Sequence, residues 1–330
     1  MSVTNHLQMN PQQESPSSFE VRFWSKSSWI LVFYTLLVIL WGAWVRISFS
    51  GDGCGDHWPL CHGEILPLQY EKKTWVEFTH RIMSGAYGIL VLIFFLKLRR
   101  TLPKSHPARF WNRMTLLFMI SEALLGAKLV LLRLVGTNDS PLSSFSMGLH
   151  LMNSLILVGS SVLLALFLSQ SDWRRRSESP VLLERSRLRK FFILLGFGFL
   201  FLNFSGALAA LSTTLFPAQN FLESLENQRQ SPHYLLALRS FHPILGLMFG
   251  IGFASFALIL RNLAKEISVR RRSSLFAYVA LATLGIRVLT LFLASPAILK
   301  ISHLIGVYAL WTSALALVQS LLYEIHPKKN

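Results

Sequence analysis

The stretch Thr74-Trp75-Val76-Glu77-Phe78-Thr79-His80-Arg81-Ile82-Met83-Ser84-Gly85 opens a run that stays apolar through Leu96. The run is long enough to cross a bilayer as a helix, yet it carries three ionisable residues in its first two turns. Such residues are costly inside a membrane and usually face a partner or a cavity. Glu77 and His80 share one helix face because they are three residues apart. They could serve as general base and metal ligand, or Glu77 could pair with Arg81 while His80 hydrogen-bonds a neighbouring helix.

The composition is that of a membrane protein. Of the 330 residues, 52% are hydrophobic and only 15% are charged, whereas soluble domains carry about 25% charged residues. The formal charge of +16 is therefore expected in cytoplasmic loops, where Lys and Arg set topology, and not at a nucleic-acid interface.

Eight apolar runs are each near or above the roughly 20 residues that a transmembrane helix needs. The runs are Trp29–Ile47, Trp75–Leu96, Met114–Val135, Phe145–Leu168, Phe191–Leu215, Tyr234–Leu260, Leu275–Leu293 and Ile298–Tyr323. The sequence therefore predicts an all-α polytopic protein with eight transmembrane helices.

The basic residues predict the orientation of these helices. The two tails and the loops after runs two, four and six carry 22 Lys and Arg, whereas the opposite loops carry four. Both termini are therefore expected to be cytoplasmic, and the opposite side is the oxidising one. Residues 1–20 contain no Lys or Arg, unlike a secretory signal or an Arg-rich transit peptide, which favours a prokaryotic plasma membrane.

Each even-numbered run contains one histidine near its outer end. His80, His150 and His303 are the sixth residues of their runs, and His242 is the ninth. At 1.5 Å per residue, all four lie about 8–12 Å below the outer ends. A single buried histidine is ordinarily a packed core residue, but four at matched depth favour metal or haem ligation.

The chain also reads as a doubled unit. His80-Arg-Ile-Met-Ser-Gly resembles His242-Pro-Ile-Leu-Gly-Leu, His150-Leu-Met-Asn resembles His303-Leu-Ile-Gly, and Ser50-Gly51 after run one is matched with Ser205-Gly206 in run five. The predicted organisation is two pseudo-symmetric four-helix bundles, each with a histidine pair. Its segments are an N-terminal tail (1–28), a first half (29–172), a basic linker (173–190), a second half (191–323) and a C-terminal tail (324–330). Two imidazoles without a sulfur or carboxylate ligand suit a bis-histidine haem better than zinc.

The first outer loop contains both cysteines of the chain, Cys54 and Cys61. The loop is rich in Gly and Pro, so it is expected to be structured but not helical. Two cysteines seven residues apart on an oxidising face can close a disulfide ring. They could instead remain thiols, or bind zinc together with His57 and His62, although that spacing fits no standard zinc pattern.

Taken together, these residues resemble the haem A synthase family, membrane enzymes that convert haem O to haem A for terminal oxidases. The resemblance rests on Glu77-Phe-Thr-His80-Arg81, on the loop from Gly53 to Gly63, on the other three helix-borne histidines, and on Thr214-Leu-Phe-Pro217. It spans Trp29 to Gln319.

The resemblance implies an oxidoreductase that oxidises a ring methyl of haem O to a formyl group. By residue matching, His80 and His150 bind the iron of the substrate haem, and His242 and His303 bind the iron of a haem b cofactor. Glu77 matches the catalytic carboxylate, and Cys54 and Cys61 match the outer-face cysteine pair. Expected partners are haem O synthase, terminal oxidase assembly factors and a second copy of the chain; the electron acceptor is left open.

Some positions depart from the family pattern. Pro243 follows His242 where an arginine is usual, and Arg239 is a candidate substitute for binding a propionate. Glu122 and Lys128 in the third run are unusual at that depth, and the second half lacks a cysteine pair.

Two other functions stay open on the sequence. A bis-histidine cytochrome b that only carries electrons would need the four histidines but gives Glu77 and the cysteine loop no task. A porphyrin transporter or chaperone would need a substrate site but no haem b.

Overall fold

The computed structural model describes residues 18–169, 173–176, 178–218, 221–292 and 296–325. Residues 1–17 and 326–330, most of both expected tails, lie outside the described residues. The described elements are α1 (Ser18–Ile47), α2 (Lys72–Thr101), α3 (Pro107–Leu131), α4 (Pro141–Leu168), β1 (Trp173–Arg175), α5 (Arg185–Leu215), α6 (Phe221–Gln230), α7 (Tyr234–Arg239), α8 (Phe241–Leu263), α9 (Ile267–Phe292), α10 (Ala297–Leu322) and β2 (Tyr323–Ile325).

The described part of the chain contains eight helical spans that are long and apolar enough to cross a membrane. They are α1 to α5, α7 together with α8, α9 and α10. This confirms the predicted all-α, eight-span class of membrane protein. The orientation of the spans stays a prediction, so we call the end with the Cys54–Cys61 loop the disulfide face and the end with residues 173–190 the linker face.

Helix α4 lies at the centre of the bundle. In its most apolar window 78% of the residues are buried, compared with 17–33% in the other seven spans. It contacts α1 and α3 on one side and α5 and α10 on the other. Small residues permit this close packing: Ser160 accepts a hydrogen bond from Thr115 of α3, and Ser161 bonds Tyr87 of α2.

The two halves of the chain meet mainly through α4, α5 and α10, and α1 also contacts α10. The indole Nε1 of Trp311 donates to the carbonyl of Leu155 at 3.0 Å, and its ring packs against Phe199 with centroids 4.8 Å apart. The division into halves at residues 29–172 and 191–323 stays a proposal, but the contact surface between them is defined by these helices.

On the linker face, a short pair of strands and one arginine connect the segment between the halves to the second half. Strands β1 and β2 pair antiparallel, with Trp173 opposite Ile325. Arg176 donates to both carboxylate oxygens of Glu266, at 2.6 and 2.8 Å, and to Glu324 at 3.1 Å. The segment between the halves is thus attached to the ends of α9 and α10.

Some predicted helix boundaries were wrong. Helix α3 ends at Leu131 and not at Val135, because Arg133 has a φ of 52° and turns the chain. The polar stretch from Glu223, which lies outside the eight predicted runs, belongs to helix α6, where Gln230 donates to Glu226 one turn earlier. Helix α1 begins at Ser18 and so extends well into the expected tail.

The sixth span is broken at Ser240, which separates α7 from α8. Pro243 lies in the first turn of α8. A proline ring clashes with the carbonyl four residues earlier, here that of Arg239, and lacks an N–H to bond it. The break therefore falls where a continuous helix would have placed that clash, and His242 lies at the start of the new helix.

Candidate functional site

The cysteine loop on the disulfide face is closed by a disulfide bond. Cys54 and Cys61 are both fully buried and bonded to each other. The loop between α1 and α2 forms turns and no helix, as predicted. Because both sulfur atoms are in the disulfide, the alternatives of free thiols and of a zinc site at this loop do not hold in this structure.

Glu77 connects this loop to α2. The residue is 4% exposed. One oxygen, Oε2, accepts the backbone N–H of Cys54 at 2.8 Å, and Oε1 accepts from Nη2 and Nε of Arg81 at 2.5 and 3.2 Å. The i, i+4 ion pair considered from the sequence is therefore present, and the same carboxylate also binds the disulfide loop.

Arg81 fastens the other end of the loop. Its Nη1 donates to the carbonyls of His57 and Leu60, each at 2.6 Å. On the exposed side, Arg133 donates to the carboxylate of Asp56. This hydrogen bond lowers the pKa of the Asp56 carboxyl. The loop is thus positioned by charged side chains from α2 and from the turn after α3.

Each half of the chain has a helical glycine packed tightly against a histidine ring of a neighbouring helix. A Cβ added to Gly42 of α1 would lie 2.9 Å from Cε1 and 3.3 Å from Nε2 of His80. At Gly206 of α5, it would lie 3.0 and 3.4 Å from the same atoms of His242. Each glycine lets a neighbouring helix approach an imidazole closely. This repeated geometry supports the predicted doubling of the chain.

The repeat alignment at these glycines was wrong in one detail. The sequence comparison matched Ser50-Gly51 with Ser205-Gly206, but Gly51 lies in the loop after α1, whereas Gly206 lies inside α5. By its packing against a histidine, the position equivalent to Gly206 is Gly42. Which small residue faces a histidine depends on how the helices pack. The sequence pattern alone therefore did not identify either glycine as part of the site.

His242 and His303 face each other, with ring centroids 6.3 Å apart and planes at 74°. At a metal–nitrogen bond of about 2 Å, two imidazoles that bind one metal from opposite sides have ligand nitrogens about 4 Å apart. The centroids lie further out, so this spacing fits one iron between the rings. The Nδ1 of His303 has no hydrogen-bond partner among the described residues, and that of His242 bonds Ser205 at 3.1 Å.

A cavity of about 440 Å³ contains both of these histidines in its lining, a size typical of small-molecule and cofactor sites. Its described lining residues include four cations and no Asp or Glu. The cations come from four helices: Arg46, Arg239, Arg287 and Lys300. Such a cavity suits a largely apolar ligand that carries negative groups, which is the chemistry of a haem with propionates.

Of this set, sequence analysis singled out only Arg239, and Arg46 is the least expected of the other three. It belongs to α1, in the first half of the chain, yet it lines the second-half cavity, and within the described structure its Nε and Nη1 are buried without a hydrogen-bond partner. In a sequence, an arginine at the end of an apolar run indicates the end of a membrane span and not a ligand-binding residue. Only the packing of α1 beside the second half reveals its position.

In the first half, His80 lies on α2 and His150 lies on α4. The Nδ1 atoms of both are buried without a hydrogen-bond partner in the described part of the chain. Glu122 of α3 lies beside His150, with 3.5 Å between Oε1 and Nδ1. Glu77, by contrast, interacts with the disulfide loop and Arg81.

Comparison with known proteins gives the family. The COX15-CtaA family model, described as "Cytochrome oxidase assembly protein", matches residues 25–315. A Thermus thermophilus protein named "Protoheme IX farnesyltransferase" is 34% identical over 304 residues, which cover 91% of this chain and 49% of that protein.

Two proteins named "Heme A synthase" are also similar. The Bacillus licheniformis protein is 36% identical over 144 residues, 44% of this chain and 45% of that protein. The Macrococcus caseolyticus protein is 28% identical over 225 residues, 63% of this chain and 72% of that protein. The chain spans about half the length of the Thermus and Bacillus relatives. The family match over most of the eight-span bundle establishes that the chain belongs to the COX15-CtaA family of cytochrome oxidase assembly proteins.

Proposed function

We propose that this protein is a haem A synthase, an oxidoreductase that converts a ring methyl of haem O to a formyl group in the membrane. The observation that carries the proposal is an asymmetry between two similar histidine pairs. The Gly42–His80 packing has a buried carboxylate, Glu77, one turn away, whereas the described lining of the His242–His303 cavity contains no acid.

In this proposal, His242 and His303 hold a haem b, which supplies one-electron redox chemistry when bound. The residues of the chain neutralise and orient it: the cationic lining of the cavity binds its propionates through charge-assisted hydrogen bonds. Arg239 takes the place of the arginine that the family usually has after the histidine, where this chain has Pro243.

His80 and His150 bind the iron of the substrate haem, and Glu77 accepts a proton from the reacting group. A carboxylate has about four lone-pair positions, and Arg81 and the Cys54 N–H occupy three. The disulfide loop therefore orients Glu77 while leaving it acceptor capacity.

We propose a haem O-forming enzyme as the donor of the substrate, because a relative twice as long as the matched region is named for protoheme IX farnesyltransferase. The basic residues support a plasma-membrane location with the linker face in the cytoplasm and the disulfide face outside. Terminal oxidase assembly factors and a second copy of the chain remain proposed partners.

The test is expression in a host that makes haem O but no haem A, followed by extraction and chromatography of the haems. Haem A or its hydroxylated precursor should appear with the wild-type chain. Glu77→Gln should retain haem b and accumulate haem O or a partly oxidised product, and His303→Ala should lose the haem b spectrum.

The outcomes separate the rival functions. Wild-type protein that binds haem but forms no haem A would support an electron-carrying cytochrome b. Haem transfer without any resident haem b would support a transporter. Wild-type haem A from Glu77→Gln, at normal protein yield, would show that the proton acceptor lies elsewhere.

A further inference from the structure

Glu122 is a membrane-embedded acid that the proposed reaction does not use. It lies on α3, and its Oε1 is 3.5 Å from Nδ1 of His150 on α4. Asn153 donates to Oε2 at 2.6 Å, and the Ser154 hydroxyl donates to Oε1. Two side chains of α4 thus hold the Glu122 carboxyl beside the imidazole that is one turn away from them.

This carboxyl distinguishes His150 from the other three helix-borne histidines. Within the described residues, the buried Nδ1 atoms of His80, His150 and His303 make no hydrogen bond. Of these three, only that of His150 has a carboxylate oxygen beside it, at 3.5 Å. The Nδ1 of His242 meets the neutral hydroxyl of Ser205. Each histidine pair therefore has one member with a neighbour at Nδ1, but only the first-half pair has a carboxyl there.

A metal-binding histidine commonly donates its second ring N–H to a carboxylate or carbonyl, which fixes the tautomer and raises the basicity of the bound nitrogen. We propose that Glu122 is a positioning residue for the substrate haem: it holds His150 with the proton on Nδ1 and Nε2 free for iron. This inference rests on the proposed role of His150 as a ligand of the substrate iron.

The consequence is a site with unequal ligands. His150, supported by Glu122, would be the stronger donor to the substrate iron. His80, without a neighbour at Nδ1, would be the weaker donor, and it lies one turn from Glu77.

The test compares Glu122→Leu and Glu122→Gln in the full-length protein purified from cells that make haem O. Gln keeps an acceptor at Nδ1, and Leu removes it. Redox titration of the haem absorption gives the occupancy and midpoint potential of each site, and His150→Ala identifies the first-half signal. Ser205→Ala is the matched control, because it removes the corresponding neighbour from His242 in the other half.

We expect Glu122→Leu to lower first-half haem occupancy about 10- to 100-fold. In the haem that remains, a tenfold loss of preference for ferric over ferrous iron would raise the midpoint potential by about 59 mV. Glu122→Gln should restore occupancy. The second-half haem should be unchanged in both variants and altered only by Ser205→Ala.

Three results would overturn the inference. Wild-type occupancy and potential in Glu122→Leu would show that His150 needs no support. Parallel loss of both haems with low protein yield in both variants would assign Glu122 to folding; if only Glu122→Leu folds poorly, loss of the first-half haem from Glu122→Gln at normal yield would overturn the inference. If His150→Ala retains both haem signals, the proposed ligand assignment itself fails, and this inference fails with it.

Discussion

At the scale of single residues, one glycine in each half of the chain lets a neighbouring helix approach a histidine ring closely. Because Gly42 and Gly206 face the imidazoles of His80 and His242 at nearly the same distances, a larger side chain would displace the ring in one half only. Gly206→Leu should lower the haem b content of the purified protein. Gly42→Leu should retain haem b but lower haem A formation, measured by haem extraction.

The controls for these variants are two glycines with open space. An added Cβ at Gly85 or Gly252 would meet nothing within 4 Å, so Ala at either position should leave both haem readouts at wild-type values. Loss of both haems in Gly42→Leu and Gly206→Leu alike would contradict the division of the site into two separate histidine pairs.

The ion pair between Glu77 and Arg81 is nearly buried, with side chains 5% and 11% exposed. Removing one member of such a pair leaves an uncompensated charge and typically costs about 3–5 kcal/mol. Arg81→Leu should therefore lower the thermal unfolding temperature strongly, and Glu77→Gln/Arg81→Leu should recover part of that loss. A double variant as unstable as the sum of the single variants would show that the two residues do not interact.

At the scale of elements, the disulfide loop is attached to α2 by side chains as well as by its own covalent ring. Thr74 donates to the carbonyl of Gly53 at 2.6 Å, next to the Cys54 N–H bond to Glu77. Alkylation of protein from aerobic cells without reduction should modify neither Cys54 nor Cys61 by mass spectrometry. Full modification of both would contradict the disulfide.

A second measurement on the loop separates its covalent and non-covalent restraints. After reduction, we expect both cysteines to react slowly with alkylating agents, because both are fully buried and Arg81 still binds the carbonyls of His57 and Leu60. Arg81→Leu, reduced in the same way, should react faster. Equal rates in both proteins would mean that Arg81 does not hold the loop.

At the scale of the whole molecule, the lengths of the apolar runs were enough to predict the eight-span class, because spanning a bilayer requires long apolar helices. The same signals could not locate the break at Ser240 or the end of α3, since a proline clash and the positive φ of Arg133 act within an apolar run. The exposed faces toward lipid and the buried faces toward protein are both apolar, so composition does not distinguish them.

The candidate site was predictable in its histidines but not in its neighbours. His242 and His303 were identified as a pair by their depth in the sequence, and the structure brings their rings together. Glu122 was noticed as unusual, but its contact with His150 depends on how α3 packs on α4. The cations of the cavity come from four helices, and no local spacing in the sequence brings them together.

The position of Arg46 makes the two halves of the molecule interdependent. It reaches the second-half cavity from α1, and the described lining offers it no carboxylate. A positive charge near a haem favours the reduced iron, so Arg46→Leu should lower the midpoint potential of haem b. At an effective dielectric constant near 20, the loss is on the order of 1 kcal/mol, or some tens of millivolts. Arg133→Leu, which removes an exposed arginine of the disulfide face, should leave the potential unchanged; equal shifts in both variants would contradict a specific contribution of Arg46.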